Sequence, residues 1–184
     1  FLDQHPQALI VGGASDLGVQ INKRRITPDT ILDINRIPVL QGWRRTDDCI
    51  VAGARATWAQ LEQATEQCIP ELHAILMRFG APQIRNVATI GGNVANNSGG
   101  LRGLKYGVTR DYVMALQVVL ADGQILNTGT KCVKDVAGFT LKDLFIGSEG
   151  TLGVITSITL KLIPPPAAKQ TMIAHFESMT DAAR

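Results

Sequence analysis

Glycine is concentrated in three stretches of this chain, and that distribution is its strongest constraint on the fold. The chain has 18 glycines among 184 residues, and the stretches are Gly12–Gly18, Ala88–Gly107 and Gly147–Gly153. Glycine allows close approach of a backbone to a ligand, and consecutive free N–H groups form a concave site for anions. Each stretch taken singly is either a tight turn or part of a binding loop. Together they predict an extended anionic ligand such as a dinucleotide.

Composition excludes several other classes of protein. Lys and Arg number 18 against 16 Asp and Glu, so the net charge of +2 is too small to indicate a nucleic-acid-binding surface. No apolar run reaches the roughly 20 residues of a membrane span, and we expect no signal peptide, because no basic segment followed by an apolar stretch occurs at the start of the sequence. The three cysteines and three histidines show no metal-ligand spacing. We therefore expect no metal site and a cytoplasmic location.

The usual nucleotide and hydrolase motifs are missing from the sequence. Gly12–Gly18 lacks the G-x-G-x-x-G spacing, no G-x-x-x-x-G-K-[ST] loop occurs, and Ser148 lies outside any G-x-S-x-G motif. Glu149 between glycines is either a catalytic base or a loop residue that accepts backbone hydrogen bonds. If a dinucleotide binds, these loops must hold it in another way.

Apolar patterning predicts strands alternating with helices. Thr57 and Gln60 form a capping box for one helix, and Pro70 begins a second helix with apolar residues at helical spacing. Asp122–Gly123 predicts a hairpin turn, and residues 86–110, with six glycines, are expected to form a long loop. The predicted strands are 8–11, 30–34, 49–52, 112–121, 124–127 and 154–163.

These elements predict an α+β fold with two lobes. Residues 1–52 would form a small, mainly parallel βαβ lobe, and residues 53–163 an antiparallel sheet flanked by helices. Pro164-Pro165-Pro166 is a stiff stop. Residues 164–184 would be that stop followed by the truncated start of another domain. Phe1 and Arg184 are expected to be cuts from a longer chain.

Residues 98–166 resemble the flavin domain of glycolate oxidase and D-2-hydroxyacid dehydrogenase subunits. The match includes Ser-Gly-Gly-Leu-Arg-Gly-Leu-Lys-Tyr-Gly from Ser98, Lys-Asp-Val-Ala-Gly from Lys134, and Gly-Ser-Glu-Gly-Thr-Leu-Gly-Val-Ile-Thr from Gly147. The resemblance implies an FAD-binding fold of the p-cresol methylhydroxylase and vanillyl-alcohol oxidase type.

Residues 8–93 resemble instead the flavin subunit of molybdenum hydroxylases such as xanthine dehydrogenase. The match includes Leu-Ile-Val-Gly-Gly-Ala-Ser-Asp-Leu-Gly from Leu9 and Arg-Phe-Gly-Ala-Pro-Gln-Ile-Arg-Asn-Val-Ala-Thr-Ile-Gly-Gly-Asn from Arg78. The two resemblances meet at Ala88–Gly92. They imply a mosaic, which is either a natural recombinant or divergent member of the family, or an engineered chimera joined at this motif. The chain lacks the Ser-Pro segment of the molybdenum type, which weakens the inference of molybdenum-hydroxylase chemistry.

Both resemblances imply FAD held between the two lobes by glycine-loop backbone. The first loop and the second are similar to segments that reach the pyrophosphate and ribityl chain, and the third to one that encloses the adenine. The implied FAD-binding residues are Val11, Gly12, Gly13, Ala14, Ser15, Asp16, Leu17, Ala88, Thr89, Gly91, Gly92, Asn93, Asn96, Asn97, Ser98, Gly99, Gly150, Gly153, Val154 and Ile155.

The catalytic residues are not implied, because the histidines and metal ligands of the hydroxyacid family lie in a later cap domain. Three functions stay open: an FAD-binding domain of a 2-hydroxyacid oxidoreductase without a complete substrate site, an electron-transfer flavin subunit of the molybdenum type that works with a partner chain, and a flavin-free binding module. Expected partners are FAD, other subunits or a missing cap domain, and a second copy by self-association, since a missing cap or partner leaves an exposed apolar patch.

Overall fold

The computed structural model describes residues 1–46, 49–76, 82–100, 103–164, 168 and 173–182. Its seven strands and eight α-helices in these ranges are β1 (Leu9–Val11), α1 (Leu17–Asn22), β2 (Ile31–Asp33), β3 (Trp43–Arg45), β4 (Cys49–Gly53), α2 (Trp58–Thr65), α3 (Pro70–Leu76), α4 (Pro82–Val87), α5 (Ile90–Ala95), α6 (Gly103–Tyr106), β5 (Val113–Val119), β6 (Ile125–Gly129), α7 (Lys142–Phe145), β7 (Val154–Lys161) and α8 (Met179–Ala182). Short 3-10 helices cover Ile34–Arg36, Pro38–Leu40 and Thr109–Tyr112.

The strands form two separate sheets. β1 and β2 are parallel neighbours, with Leu9 opposite Ile31, and α1 connects them as a short βαβ unit. The other five strands form an antiparallel sheet in the order β3-β4-β7-β5-β6. This arrangement confirms the predicted α+β fold with a small parallel lobe and a larger antiparallel lobe.

The strands β3 and β4 lie in the larger sheet, although the sequence analysis assigned residues 43–52 to the first lobe. β4 pairs with β7 along its whole length, from Cys49 opposite Lys161 to Gly53 opposite Ser157. Ile50 and Ala52 in β4 are at most 1% exposed. A strand this deeply buried needs neighbours on both edges, which β3 and β7 provide and a two-stranded sheet cannot. The domain division at residue 52 itself stays a prediction.

The main core lies between the five-stranded sheet and the helices α2, α3 and α5. Its central side chains are Ile50, Leu61, Ile90, Val94 and Ile158, all at most 1% exposed. The predicted capping box that begins α2 is confirmed, since the Gln60 N–H donates to Thr57 Oγ1 at 3.2 Å and the Thr57 N–H to Gln60 Oε1 at 3.0 Å. Because α2 begins where β4 has just ended, Arg55 and Thr57 come to the edge between the two lobes.

A smaller core joins the two lobes. Ile34, Leu40 and Val154 are buried together, and Ile10 and Val119 pack against them. Ile34 follows β2 of the small sheet, whereas Val154 begins β7 of the large one. Burial of these side chains therefore fixes the small lobe against one end of the antiparallel sheet.

The described residues of the segment 86–110 are largely helical, and the prediction of a long loop is wrong. α5 contains two adjacent glycines, which disfavour a helix. Two other features override that preference: Ile90 and Val94, one turn apart, are fully buried, and Thr89 Oγ1 caps the helix by accepting the Gly92 N–H at 3.1 Å. Tertiary burial, and not local propensity, makes this segment a helix.

Further predictions concern the second helix and the end of the chain. The predicted second helix is confirmed as α3 over Pro70–Leu76, and residues 77–81 lie outside the described part of the chain. Pro165 and Pro166 are outside it as well. In the segment expected to start another domain, residues 173–176 form no strand and α8 follows Ser178.

Candidate functional site

The first and second glycine loops meet at a cavity between the lobes. The cavity has a volume of about 250 Å³. Gly12 and Gly13 form one wall, and Val87 and Thr89 form the opposite wall. Its remaining lining residues are Asn35, Arg55, Thr57, Gln60 and Asn86.

The two loops touch through their backbones. A β-carbon on Gly13 would overlap the carbonyl oxygen of Val87, and one on Gly12 would lie 3.4 Å from Thr89 Oγ1. Asn35 stabilises the first loop, because its Nδ2 donates to the Gly12 carbonyl at 2.7 Å. Glycine at position 13 is therefore required for this close approach.

The first loop has free backbone donors. Within the described part of the chain, the N–H groups of residues 13–17 have no hydrogen-bond acceptor. Ala14 adopts a positive φ of 57°, and the N-terminal end of α1 has no side-chain cap. Of these residues Gly13 lines the cavity, and residues 14–17 continue from it along the chain. Such a run of unpaired donors suits the oxygens of an anion.

The second loop has few donors left for a ligand. The Gly91 N–H donates to the Ala54 carbonyl at 2.8 Å, the Gly92 N–H to Thr89 Oγ1 at 3.1 Å, and the Asn93 N–H to the Thr89 carbonyl at 3.0 Å. The Asn93 side chain also donates to Thr109 Oγ1 at 2.6 Å. Of the predicted residues here, Thr89 alone lines the cavity, while Ala88 precedes it and is half-buried.

Asn96–Gly99 lie at the opposite end of α5 from Thr89. Asn97 has a positive φ of 46°, and its Oδ1 accepts the Arg110 N–H at 2.9 Å. The Ser98 carbonyl accepts Thr109 Oγ1 at 2.7 Å. These predicted residues do not line the cavity.

The third glycine loop closes the C-terminal end of α5. The Gly147 N–H donates to the Val94 carbonyl at 3.1 Å, and the Glu149 N–H to the Ala95 carbonyl at 2.9 Å. Of the predicted residues that follow, Gly150 and Gly153 have positive φ, and Val154 and Ile155 are buried. The structure therefore brings two of the three loops to the cavity, and places the third against the far end of the helix that begins there.

Sequence reasoning missed Arg55, Asn35 and Asn86 as lining residues. All three lie outside the glycine stretches on which the prediction was based. Arg55 carried one signal, because a charged residue between two alanines directly after a buried strand is unusual. Its polar head then has to reach solvent or a cleft.

The family to which the chain belongs follows from comparison with known proteins. The model of the FAD binding domain in molybdopterin dehydrogenase matches residues 1–151. The chain belongs to this FAD-binding family. This FAD-binding domain is also similar to hydroxyacid oxidoreductases, so both resemblances inferred from the sequence are confirmed.

Two curated relatives show the second similarity. The chain is 57% identical over 103 residues to glycolate oxidase subunit GlcD of Bacillus subtilis, which covers 56% of the chain and 22% of that protein. It is 41% identical over 132 residues to D-lactate dehydrogenase of Archaeoglobus fulgidus, which covers 72% of the chain and 28% of that protein. The FAD-binding domain thus spans only about a quarter of these relatives.

Solved structures share its fold at low identity. A Cu,Mo-CO dehydrogenase chain has a TM-score of 0.59 and 23% identity, covering 86% of this chain and 53% of that one. Alkyldihydroxyacetonephosphate synthase has a TM-score of 0.61 and 22% identity, covering 90% of this chain and 31% of that one. The family model gives FAD as the cofactor of the family, and these solved structures show the fold that the chain shares with them.

Proposed function

We propose that the chain holds the diphosphate of FAD in the cavity between its lobes. The observation that carries the proposal is the run of unpaired N–H groups at residues 13–17 beside that cavity. Gly13 provides the second line of support, because a β-carbon there would prevent the close contact between the two loops. A volume of about 250 Å³ is below the roughly 300–1,000 Å³ of pockets that enclose a whole drug-sized ligand. It suits the diphosphate portion of the dinucleotide.

The predicted binding residues have different roles under this proposal. Residues Gly13–Leu17 would donate from their backbones to the phosphate oxygens, with Val11 and Gly12 positioning the loop. Thr89 would shape the opposite wall and fix the start of α5. The other predicted residues of the second loop would act indirectly, through the helix α5 that they precede or form. Their N–H groups or carbonyls already have partners in the chain, and these residues are Ala88, Gly91, Gly92 and Asn93. Asn96–Gly99, with Gly150, Gly153, Val154 and Ile155, would serve the parts of FAD beyond the diphosphate.

A ligand series tests the diphosphate site directly. Purified protein is titrated with FAD, FMN and riboflavin, and binding is followed by quenching of flavin fluorescence. We expect FAD to bind at least about tenfold more tightly than FMN, and FMN more tightly than riboflavin, because FMN carries one phosphate and riboflavin none. Equal affinities for all three would show that the isoalloxazine and not the diphosphate is recognised, which contradicts the proposal.

We further propose that this region binds FAD without completing a substrate site. Proton transfer from a hydroxyacid needs a base such as histidine or a carboxylate within hydrogen-bond reach. No histidine, carboxylate, cysteine or tyrosine lines the cavity within the described residues. When bound, the flavin supplies the redox chemistry. Turnover of glycolate or D-lactate with an artificial acceptor dye by the FAD-loaded chain would overturn this part of the proposal.

The family match over residues 1–151 favours a second candidate function, that of an electron-transfer flavin subunit. Under that function, substrate oxidation would occur on another subunit, and the FAD here would pass electrons to an acceptor. The chemically reduced, FAD-loaded protein should then be reoxidised by an external acceptor without any hydroxyacid. Failure of several acceptors to reoxidise the flavin would exclude this candidate.

We propose that the chain self-associates through an exposed apolar surface formed by Val133, Val136, Phe139 and Leu144. Val133 and Phe139 are 96% and 95% exposed. Lys134 and Lys142 are the only cationic residues in the sequence segment 133–142. An apolar surface of this kind marks a contact site in many proteins. The net charge of +2 provides little repulsion between copies.

In the described residues no helix is long and apolar enough to cross a membrane, and a cytoplasmic location stays a prediction.

A further inference from the structure

The cavity contains one cationic side chain, and its backbone is held firmly. Arg55 lies between Ala54 and Ala56, each 2% exposed, directly after β4. Its own N–H donates to the Leu40 carbonyl at 2.9 Å. Because the residues on both sides are locked into the main core, the Cα of Arg55 is fixed at the edge of the cavity.

The guanidinium of Arg55 has little to bind in the chain itself. Its one hydrogen bond is from Nη1 to the Ile37 carbonyl, at a long 3.4 Å. Within the described residues, no carboxylate lies within 4.0 Å of it, and the ion pairs formed there are Arg85–Glu62 and Lys142–Asp143. A half-buried arginine without an acidic partner has most of its five donors available to a ligand.

The other lining residues are neutral. Asn35, Thr57, Gln60, Asn86 and Thr89 carry no charge, and Gly12 and Gly13 have no side chain. The net charge of the lining is therefore positive and comes from Arg55 alone. A cavity of this sign, with the unpaired N–H of Gly13 in its lining, attracts an anion.

We infer that Arg55 binds the diphosphate of FAD as the single charged contact in the cavity. This inference rests on the proposed function of the cavity. A guanidinium is planar and binds phosphate oxygens through two parallel N–H donors, whereas a lysine ammonium binds as a point charge. Arg55 therefore selects ligands with a diphosphate, and the flavin ring contributes nothing to its contact.

The test compares Arg55→Gln and Arg55→Lys with the matched control Arg36→Gln. Arg36 is exposed, lies next to Asn35 and does not line the cavity, so its loss changes the net charge equally. Each purified full chain is titrated with FAD and with ADP-ribose, a diphosphate that has no flavin. Thermal unfolding followed by circular dichroism establishes that each variant is folded.

We expect Arg55→Gln to weaken both FAD and ADP-ribose by at least about tenfold and by the same factor. The affinities of Arg55→Lys for both ligands should fall between those of Arg55→Gln and those of the unaltered chain. The affinities of Arg36→Gln should stay within about twofold of those of the unaltered chain. The dependence of FAD affinity on salt concentration should also become shallower in Arg55→Gln but not in Arg36→Gln.

The possible outcomes separate this inference from the function on which it rests. If the unaltered chain binds neither FAD nor ADP-ribose, the proposed function fails. If it binds both and Arg55→Gln binds them equally well, only the role of Arg55 is overturned. Weakening of FAD without weakening of ADP-ribose would also overturn it, because Arg55 would then act on the flavin. Should Arg55→Gln fail to fold, Arg55→Lys and the salt dependence of the unaltered chain decide the question.

Discussion

Gly13 and Val87 are in direct backbone contact across the boundary between the two lobes. A β-carbon on Gly13 would overlap the Val87 carbonyl oxygen and lie 3.0 Å from the Thr89 nitrogen. Gly13 follows the first strand of the small sheet, and Val87 ends the helix α4, which packs against α2. One glycine therefore sets the distance between the walls of the cavity.

Gly13→Ala should weaken FAD binding by about tenfold or more. The alanine β-carbon forces the loop away from Val87, at an overpacking cost of about 1–3 kcal/mol, and displaces the free N–H groups from the cavity. Fluorescence titration measures the change in affinity. The control is Gly18→Ala, whose β-carbon meets Ala14 at an ordinary 3.9 Å and lies within α1. It should bind FAD as the unaltered chain does, and equal losses in both variants would refute the role of Gly13.

Gly91→Ala should destabilise the fold by about 1–3 kcal/mol. Gly91 is buried where α5 contacts the end of β4, and a β-carbon added to it would lie 2.6 Å from the Ala54 β-carbon. Urea unfolding measures the loss. Gly100→Ala serves as control, because nothing lies within 4 Å of the added methyl group. Equal stability of the two variants would contradict the packing described here.

Thr89→Ala should cost about 0.5–2 kcal/mol of stability, since its hydroxyl caps α5 and the residue is only 5% exposed. Thr89→Ser keeps the capping oxygen and should recover most of the loss. The same two variants should rank in that order for FAD affinity, because α5 begins at the cavity wall. A serine variant as unstable as the alanine variant would assign the effect to the lost methyl group.

Stability should fall as the pH rises above about 10, and Tyr112 should account for part of the fall. Burial, and then the negative charge of Asp111, raise the pKa of Tyr112. The unfolded chain therefore loses this proton at a lower pH than the folded chain, so stability is full below pH 10 and declines above it. Tyr112→Phe also loses the hydrogen bond to the Tyr106 carbonyl. In urea unfolding it should be less stable near neutral pH and decline less steeply between pH 9 and pH 11.

The weight-average mass in sedimentation should increase with protein concentration if the exposed apolar surface mediates self-association. The double variant Val136→Ser with Phe139→Ser should reduce that increase. Val39→Ser is the control, because Val39 is as exposed as Val136, at 84% each, and lies elsewhere on the surface. A monomer at every concentration would contradict this prediction, and so would an equal reduction by the control.

Local chemistry allowed much of the fold to be predicted from the sequence. β1 and β2 are short apolar runs, and the Thr57–Gln60 capping box needs only residues three positions apart. The helix α5 was not predictable in this way, because its stability comes from burial of Ile90 and Val94 against strands distant in the sequence. The membership of β4 in the larger sheet was not predictable for a similar reason, since the pairing of β4 with β7 joins residues more than 100 positions apart.

The candidate site was predicted in part. Glycine spacing pointed to the loop at Gly12–Leu17, because free N–H groups depend on local backbone shape. Whether the other glycine loops can bind a ligand depends on which of their N–H groups already have acceptors in the fold. The N–H groups of Gly91 and Asn93 donate to the carbonyls of Ala54 and Thr89. Arg55 was missed because its position in the cavity results from the long-range packing of Ala54 and Ala56.

The most direct test of the whole account is the absorbance spectrum of the chain after addition of FAD and removal of the excess by gel filtration. The account predicts flavin bands that stay with the protein in the unaltered chain, and loss of those bands in Gly13→Ala while Gly18→Ala retains them. A folded, unaltered chain that emerges colourless would contradict the account, because the free donors beside the cavity would then hold no dinucleotide.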